Sequence, residues 1–165
     1  MRRGTVLGTL SFIALLLLNG CGSAPPAPAD AVVVTADARA LQYGSTAPEV
    51  LNNPRLANQI RALFGPDWNP SATRLYGAPA FFPDFSAIRM VRVAGREVIA
   101  IKGCVPTACT AYRGLLLIGS PDQMQARLDE GGFSHYYDFG PSPGGAISRS
   151  VVDGAWNAIE VVERR

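Results

Sequence analysis

The chain has 165 residues and little of what most catalytic sites are built from. It carries one histidine, three cysteines and only 17% charged residues. No glycine-rich phosphate loop and no cluster of metal ligands occurs along it, and no segment repeats with a period of twenty to fifty residues. The single histidine lies in Ser134-His135-Tyr136-Tyr137-Asp138. On a strand, neighbouring side chains point to opposite faces, so these residues do not converge into a Ser/His/Asp device. The adjacent carboxylates Asp129 and Glu130 precede Gly131-Gly132, which reads as a solvated turn and not as two acids flanking a sugar. The residues give no support for catalysis, a metal or a cofactor.

What is present begins with an address. Arg2 and Arg3 precede an apolar run from Val6 to Leu18, too short for a settled membrane span but suited to a signal sequence. The run closes on Leu18-Asn19-Gly20-Cys21, which resembles a bacterial lipobox. That resemblance implies cleavage before Cys21, lipidation of its sulfur, and multiple acyl chains that anchor more firmly than one. An ordinary secretory signal with a chance cysteine is the competing reading. Gly22 follows, where an aspartate marks inner-membrane retention, so the resemblance implies an outer-membrane lipoprotein facing the periplasm.

Loss of residues 1–20 removes two of the fifteen basic residues and none of the thirteen acidic ones. Thirteen then balance thirteen, and a chain without basic excess argues against a nucleic-acid partner. With Cys21 lipidated, Cys104 and Cys109 remain as an even pair in an oxidising compartment. A disulfide around Val105-Pro106-Thr107-Ala108 is the expectation. Two thiols and one imidazole are too few for zinc, and a redox pair usually has the spacing C-x-x-C. So small a ring contributes only about 2 kcal/mol through chain entropy, but it holds four residues in one shape and so lowers the ordering cost of binding.

Composition divides the rest. Gly22 to Asp30 is rich in Pro, Ala and Ser and reads as a tether. Ala31-Val32-Val33-Val34-Thr35 fits either a short strand or an apolar piece of that tether. Leu51, Leu56, Ile60, Leu63 and Phe64 predict a helix over Pro48–Phe64, with Gly65-Pro66 as its stop and Pro54 as an alternative start. Residues 65–87 read as a long connection whose aromatics Trp68, Tyr76, Phe81, Phe82 and Phe85 plug the core.

Alternation predicts strands over Ile88–Val93 and Arg96–Lys102 joined by an Ala94-Gly95 turn. Val91 breaks the alternation and shifts its phase slightly. Val98, Ala100 and Lys102 fall on one face and Glu97, Ile99 and Ile101 on the other. Arg113–Ile118 is continuously apolar, as a central strand is. Further strands are expected at Met124–Leu128 and Phe133–Phe139. A four-residue stripe of Ile147, Val151, Ala155 and Ile159, with Val152 and Trp156 beside it, predicts a C-terminal helix starting near Ser148 or Ser150, with Gly154 as its weak point. The fold class is α+β, an antiparallel sheet flanked by helices in a single domain.

The strand Val98-Ile99-Ala100-Ile101, the element Cys104-Val105-Pro106-Thr107-Ala108-Cys109 and the strand Arg113–Ile118 together resemble the Ivy-type inhibitors of vertebrate (c-type) lysozyme, whose loop has the form C-K-P-H-D-C. The upstream helix, Pro66-Asp67-Trp68 and the Gly95 turn fall in the same order, and the resemblance covers residues 45–165. It implies a periplasmic α/β sandwich at 45–165, often dimeric, which follows the lipoprotein signal at 1–20 and the lipidated tether at 21–44 read above. The partner it implies is a lysozyme whose cleft the loop plugs. Carried over residue by residue, Cys104, Pro106 and Cys109 match. Thr107 stands at the family's histidine, Val105 and Ala108 at its lysine and aspartate, and Tyr112 and Arg113 flank the loop. Threonine offers one short hydroxyl donor where histidine offers a longer, chargeable one. The departure leaves room for another target, such as the cell's own lytic transglycosylases. The competing class is a non-inhibitory envelope lipoprotein that binds peptidoglycan or another envelope protein.

Overall fold

A computed structural model describes residues 26–35, 37–141 and 145–165. The signal and lipidation readings at residues 1–21, Cys21 included, lie outside the described residues. Six strands form one antiparallel sheet in chain order: β1 (Ala31–Val34), β2 (Ala87–Val93), β3 (Arg96–Cys104), β4 (Tyr112–Ser120), β5 (Gln123–Glu130) and β6 (Phe133–Phe139). Among the described residues, three α-helices accompany them: α1 (Ala47–Leu51), α2 (Ala57–Phe64) and α3 (Gly145–Glu163). The α+β antiparallel architecture expected from the sequence is the one observed.

Both faces of the sheet are covered. On one, Met90, Ile99, Ile101, Leu116, Ile118, Met124 and Leu128 pack against Val50, Leu56, Ile60, Leu63 and Phe64 of the first two helices and their flanks. On the other, Val91, Val93, Ala100, Leu115 and Leu117 meet Val151, Val152, Ala155, Trp156 and Ile159 of α3. The two-faced assignment of β3 therefore holds, with Val98 and Ala100 toward α3 and Ile99 and Ile101 toward the opposite layer. It also explains Val91. That residue breaks the alternation of β2 because both faces of the strand are buried, not because the strand changes phase. In β4, Gly114 to Ile118 are all buried, alternating between the two layers.

One open reading is decided and two boundaries differ from expectation. Residues 31–34 are a strand, paired with β2 from Ala31↔Val93 to Val34↔Met90, so the tether segment 21–44 contributes its later residues to the sheet. The single helix 48–64 is two helices. Asn53 caps the break: its side-chain amide donates to the Tyr43 carbonyl at 2.8 Å and its oxygen accepts from Arg55 N at 2.9 Å. Pro54, lacking an N–H, cannot continue α1. The last helix starts at Gly145, ahead of the serines.

Gly154 is no weak point. A Cβ there would lie 2.1 Å from the Ala29 carbonyl oxygen. The glycine lets the segment before β1 cross the helix, where Ala29 N donates to Ser150 O at 2.8 Å. Of the expected aromatic plugs, Phe81 and Phe82 are buried and Trp68 and Tyr76 pack against the core, but Phe85 is 62% exposed.

Candidate functional site

The element Cys104–Cys109 joins β3 to β4 at one end of the sheet, beneath two glycines that face each other across the strands, Gly103↔Gly114. A Cβ on Gly103 would lie 2.5 Å from the Phe81 carbonyl, and one on Gly114 would lie 2.9 Å from Phe81 and Phe82 side-chain atoms. Only glycine lets the segment carrying Phe81 and Phe82 lie this close to the strands. The loop therefore rises from a base packed with aromatics.

The loop itself is two linked turns. Cys104 and Cys109 form the expected disulfide, with Cα atoms 4.9 Å apart. Val105 is buried, and its N–H donates to Tyr112 O at 3.0 Å. Its carbonyl accepts from Ala108 N at 3.0 Å, closing a four-residue turn, and the Ala108 carbonyl accepts from Tyr112 N at 2.9 Å. Pro106 occupies the second turn position and Thr107 the third, with φ of +67°. Proline fixes a negative φ, so the turn is type II, a geometry that favours glycine or asparagine where Thr107 stands. A β-branched side chain in the left-handed region is strained. Pro106 and Thr107 are exposed and Ala108 is half-buried. Val105 is thus the anchor and Pro106-Thr107 the projecting tip.

The two flanking residues leave the loop on opposite faces. Tyr112 turns inward, its ring edge-on to Tyr76 at 5.0 Å and 6.4 Å from Phe81. Arg113 turns toward α3 and donates to Glu160 at 2.9 Å and Asp129 at 3.4 Å. Its guanidinium lies 5.0 Å from the Trp156 ring, which Arg127 and Lys102 also approach, at 4.3 and 5.1 Å. Three cations on one buried indole leave acids to balance them. Burial alone would raise the Glu160 carboxyl, but Lys102, the Trp156 N–H and Arg113 outweigh it and hold the group below its usual range. Both flanking residues buttress the loop from beneath. Beside it, Phe85, Lys102, Arg113 and Arg164 line a cavity of about 510 Å³ that also touches both disulfide cysteines.

The two carboxylates weighed from sequence are separated by the sheet, and the histidine lies on the side of Glu130. Asp129 and Glu130 are not a solvated turn. Asp129 faces α3 and accepts from Arg127 at 2.8 Å and Ser134 at 2.7 Å. Glu130 faces the other layer, 3.3 Å from Arg74 and 3.5 Å from His135. Tyr137 joins this second group, accepting from Arg74 at 2.6 Å and donating to Asp67 at 2.9 Å. Ser134, His135 and Asp138 do not converge, since Asp138 accepts from Gln125 at 3.2 Å on the α3 side. Sequence reading missed the Gly103/Gly114 pair and the Trp156 cation cluster. Two glycines inside otherwise apolar strands were the available signal for the first.

No protein-family model matches the chain, and no curated protein or solved structure shows significant similarity to it.

Proposed function

We propose that the chain is an envelope lipoprotein that blocks a muramidase by inserting the loop Cys104–Cys109 into the enzyme's cleft, in the manner of the Ivy-type family it resembles. One observation carries this reading: the Pro106-Thr107 tip projects into solvent on a turn fixed at both ends by the disulfide and anchored by buried Val105. A tip already held in one conformation loses little further entropy on docking. The projecting residues are uncharged, so Thr107 approaches an acidic cleft as a neutral hydroxyl donor. A charge-assisted bond contributes about 1.5–3 kcal/mol, and a histidine at this position would tighten binding by one to two decades. Histidine also tolerates the left-handed backbone better than a β-branched residue does.

The test is a cell-wall lysis assay with the chain from residue 22 onward against c-type lysozymes and lytic transglycosylases. Slowed lysis by at least one of them, and stronger inhibition by Thr107→His, is the expected result. No slowing of any enzyme at micromolar concentration refutes the proposal. Thr107→His inhibiting no better than the parent chain shows that the loop docks in another way.

A further inference from the structure

The residues just before β1 are bound to the domain. Ser150 Oγ donates to the Ala27 carbonyl at 2.5 Å, Ala29 N donates to Ser150 O at 2.8 Å, and the Asp30 carbonyl accepts from Ala94 N at 3.2 Å. Ala29 also lies on α3 at Gly154, where a Cβ would come within 2.1 Å of its carbonyl oxygen. From Ala27 onward the chain is therefore part of the folded body, held on α3 by hydrogen bonds and close packing.

This docking occurs at the end of the sheet farthest from the loop. Ala31 pairs with Val93 and Val93 with Arg96, at the start of β3, whereas Cys104 closes the same strand. α3 runs the same way. Val151 shares a cavity with Arg96, and Glu160, Glu163 and Arg164 line the one beside Cys104. Eight residue steps along β3 separate the two ends, about 26 Å at the rise of a strand, and the Pro106-Thr107 tip lies beyond.

The lengths decide which way an anchored chain can stand. With the lipid on Cys21, six residue steps lead to Ala27, and six residues span at most about 20–22 Å. Turning the loop onto the bilayer lifts the docked end of the sheet by about 26 Å or more, beyond that reach. Were residues 27–30 not docked, the ten steps from Cys21 to Ala31 would span about 33–36 Å and permit the inversion.

We propose that residues 27–30 are an orienting clamp: the lipid-anchored chain stands with its Ala94-Gly95 end toward the bilayer and carries the Pro106-Thr107 tip away from it. The tip then meets a partner in the water beyond the anchoring bilayer, not one bedded in it. The proposal rests on the lipidation of Cys21 and is independent of what the loop binds.

The test uses the full lipidated chain bound to vesicles whose headgroups carry an energy-transfer acceptor. A donor dye is attached through Arg96→Cys at the clamp end or through Phe133→Cys at the loop end, both exposed positions. Transfer should be several-fold stronger from position 96 than from position 133. Inserting about ten Gly/Ser residues after Gly22, a flexible linker, should narrow that gap. Equal transfer from the two positions, or stronger transfer from position 133, overturns the proposal. So does a gap that the insertion leaves unchanged, since the docked segment then does not set the orientation. Mass spectrometry of the mature chain reads the lipid separately, and a residue 21 without acyl chains overturns the anchor and the clamp's role together.

Discussion

Thr107 holds φ of +67°, and replacing it with asparagine tests how the loop is held. For an L-residue the left-handed region costs about 1–2 kcal/mol, while asparagine visits it readily through local hydrogen bonding. Thr107 is exposed and its side chain has no packing to lose. Thr107→Asn should therefore stabilise the oxidised chain by about 1 kcal/mol, or about 3 °C in Tm for a domain of this size. Glycine should gain less. It relieves the same strain but gives back about 0.4–1 kcal/mol through the larger entropy of its unfolded chain. Valine, β-branched and lacking the hydroxyl, should gain nothing. Urea unfolding followed by the fluorescence of Trp68 and Trp156 ranks the four chains, with the dependence on urea unchanged and only the midpoint moving. An asparagine variant no more stable than the parent, or a valine variant as stable as the asparagine one, would refute the turn assignment.

Gly154→Ala should destabilise by about 1–2 kcal/mol in the same urea assay. The added methyl meets the Ala29 carbonyl at 2.1 Å, and that overlap exceeds the helix-propensity gain of about 1 kcal/mol. A stabilised variant would mean that the segment before β1 does not cross α3. At high pH, Tyr136 and Tyr137 should limit stability. Burial, reinforced by donation to Asp153, pushes the Tyr136 phenol up to about 12, and burial likewise raises Tyr137 to about 12. Folded pKa values above the unfolded value of about 10 mean that the native state holds these protons more tightly. Their contribution is complete below about pH 10 and is lost as pH rises toward about 12. The urea midpoint should fall across that interval, and less steeply in Tyr136→Phe. A parent midpoint flat across that interval would count against the buried phenols.

The sheet was readable because its strands announce themselves locally. Alternation in Arg96–Lys102, glycine turns at Gly95 and Gly131, and the four-residue stripe of α3 are all short-range signals. Where sequence reading went astray, the cause was tertiary. Val91 disturbs the pattern of β2 only because helices cover both faces. Ala31–Val34, open between strand and tether in the sequence, is a strand because β2 offers an edge. Phe85 is apolar yet lies on a cavity rim, since neighbouring Phe81 and Phe82 already fill the space above Gly103 and Gly114. The loop was legible from two cysteines and a proline. The conformation of Thr107 was not, because β-branched residues ordinarily argue against a left-handed backbone. The cations around Trp156 come from three different strands, and no linear spacing brings Lys102, Arg113 and Arg127 together.

Because β1 to β6 occupy the sheet in the order they occur in the chain, each can dock on its predecessor in turn. The layer formed by α3 comes last. Until residues 145–163 have docked, Val91, Val93, Leu115 and Leu117 face water together, a broad greasy plane on an otherwise assembled sheet. An intermediate that lacks only α3 is therefore the stickiest form of the domain, and the one on which a holding chaperone would find most to grip.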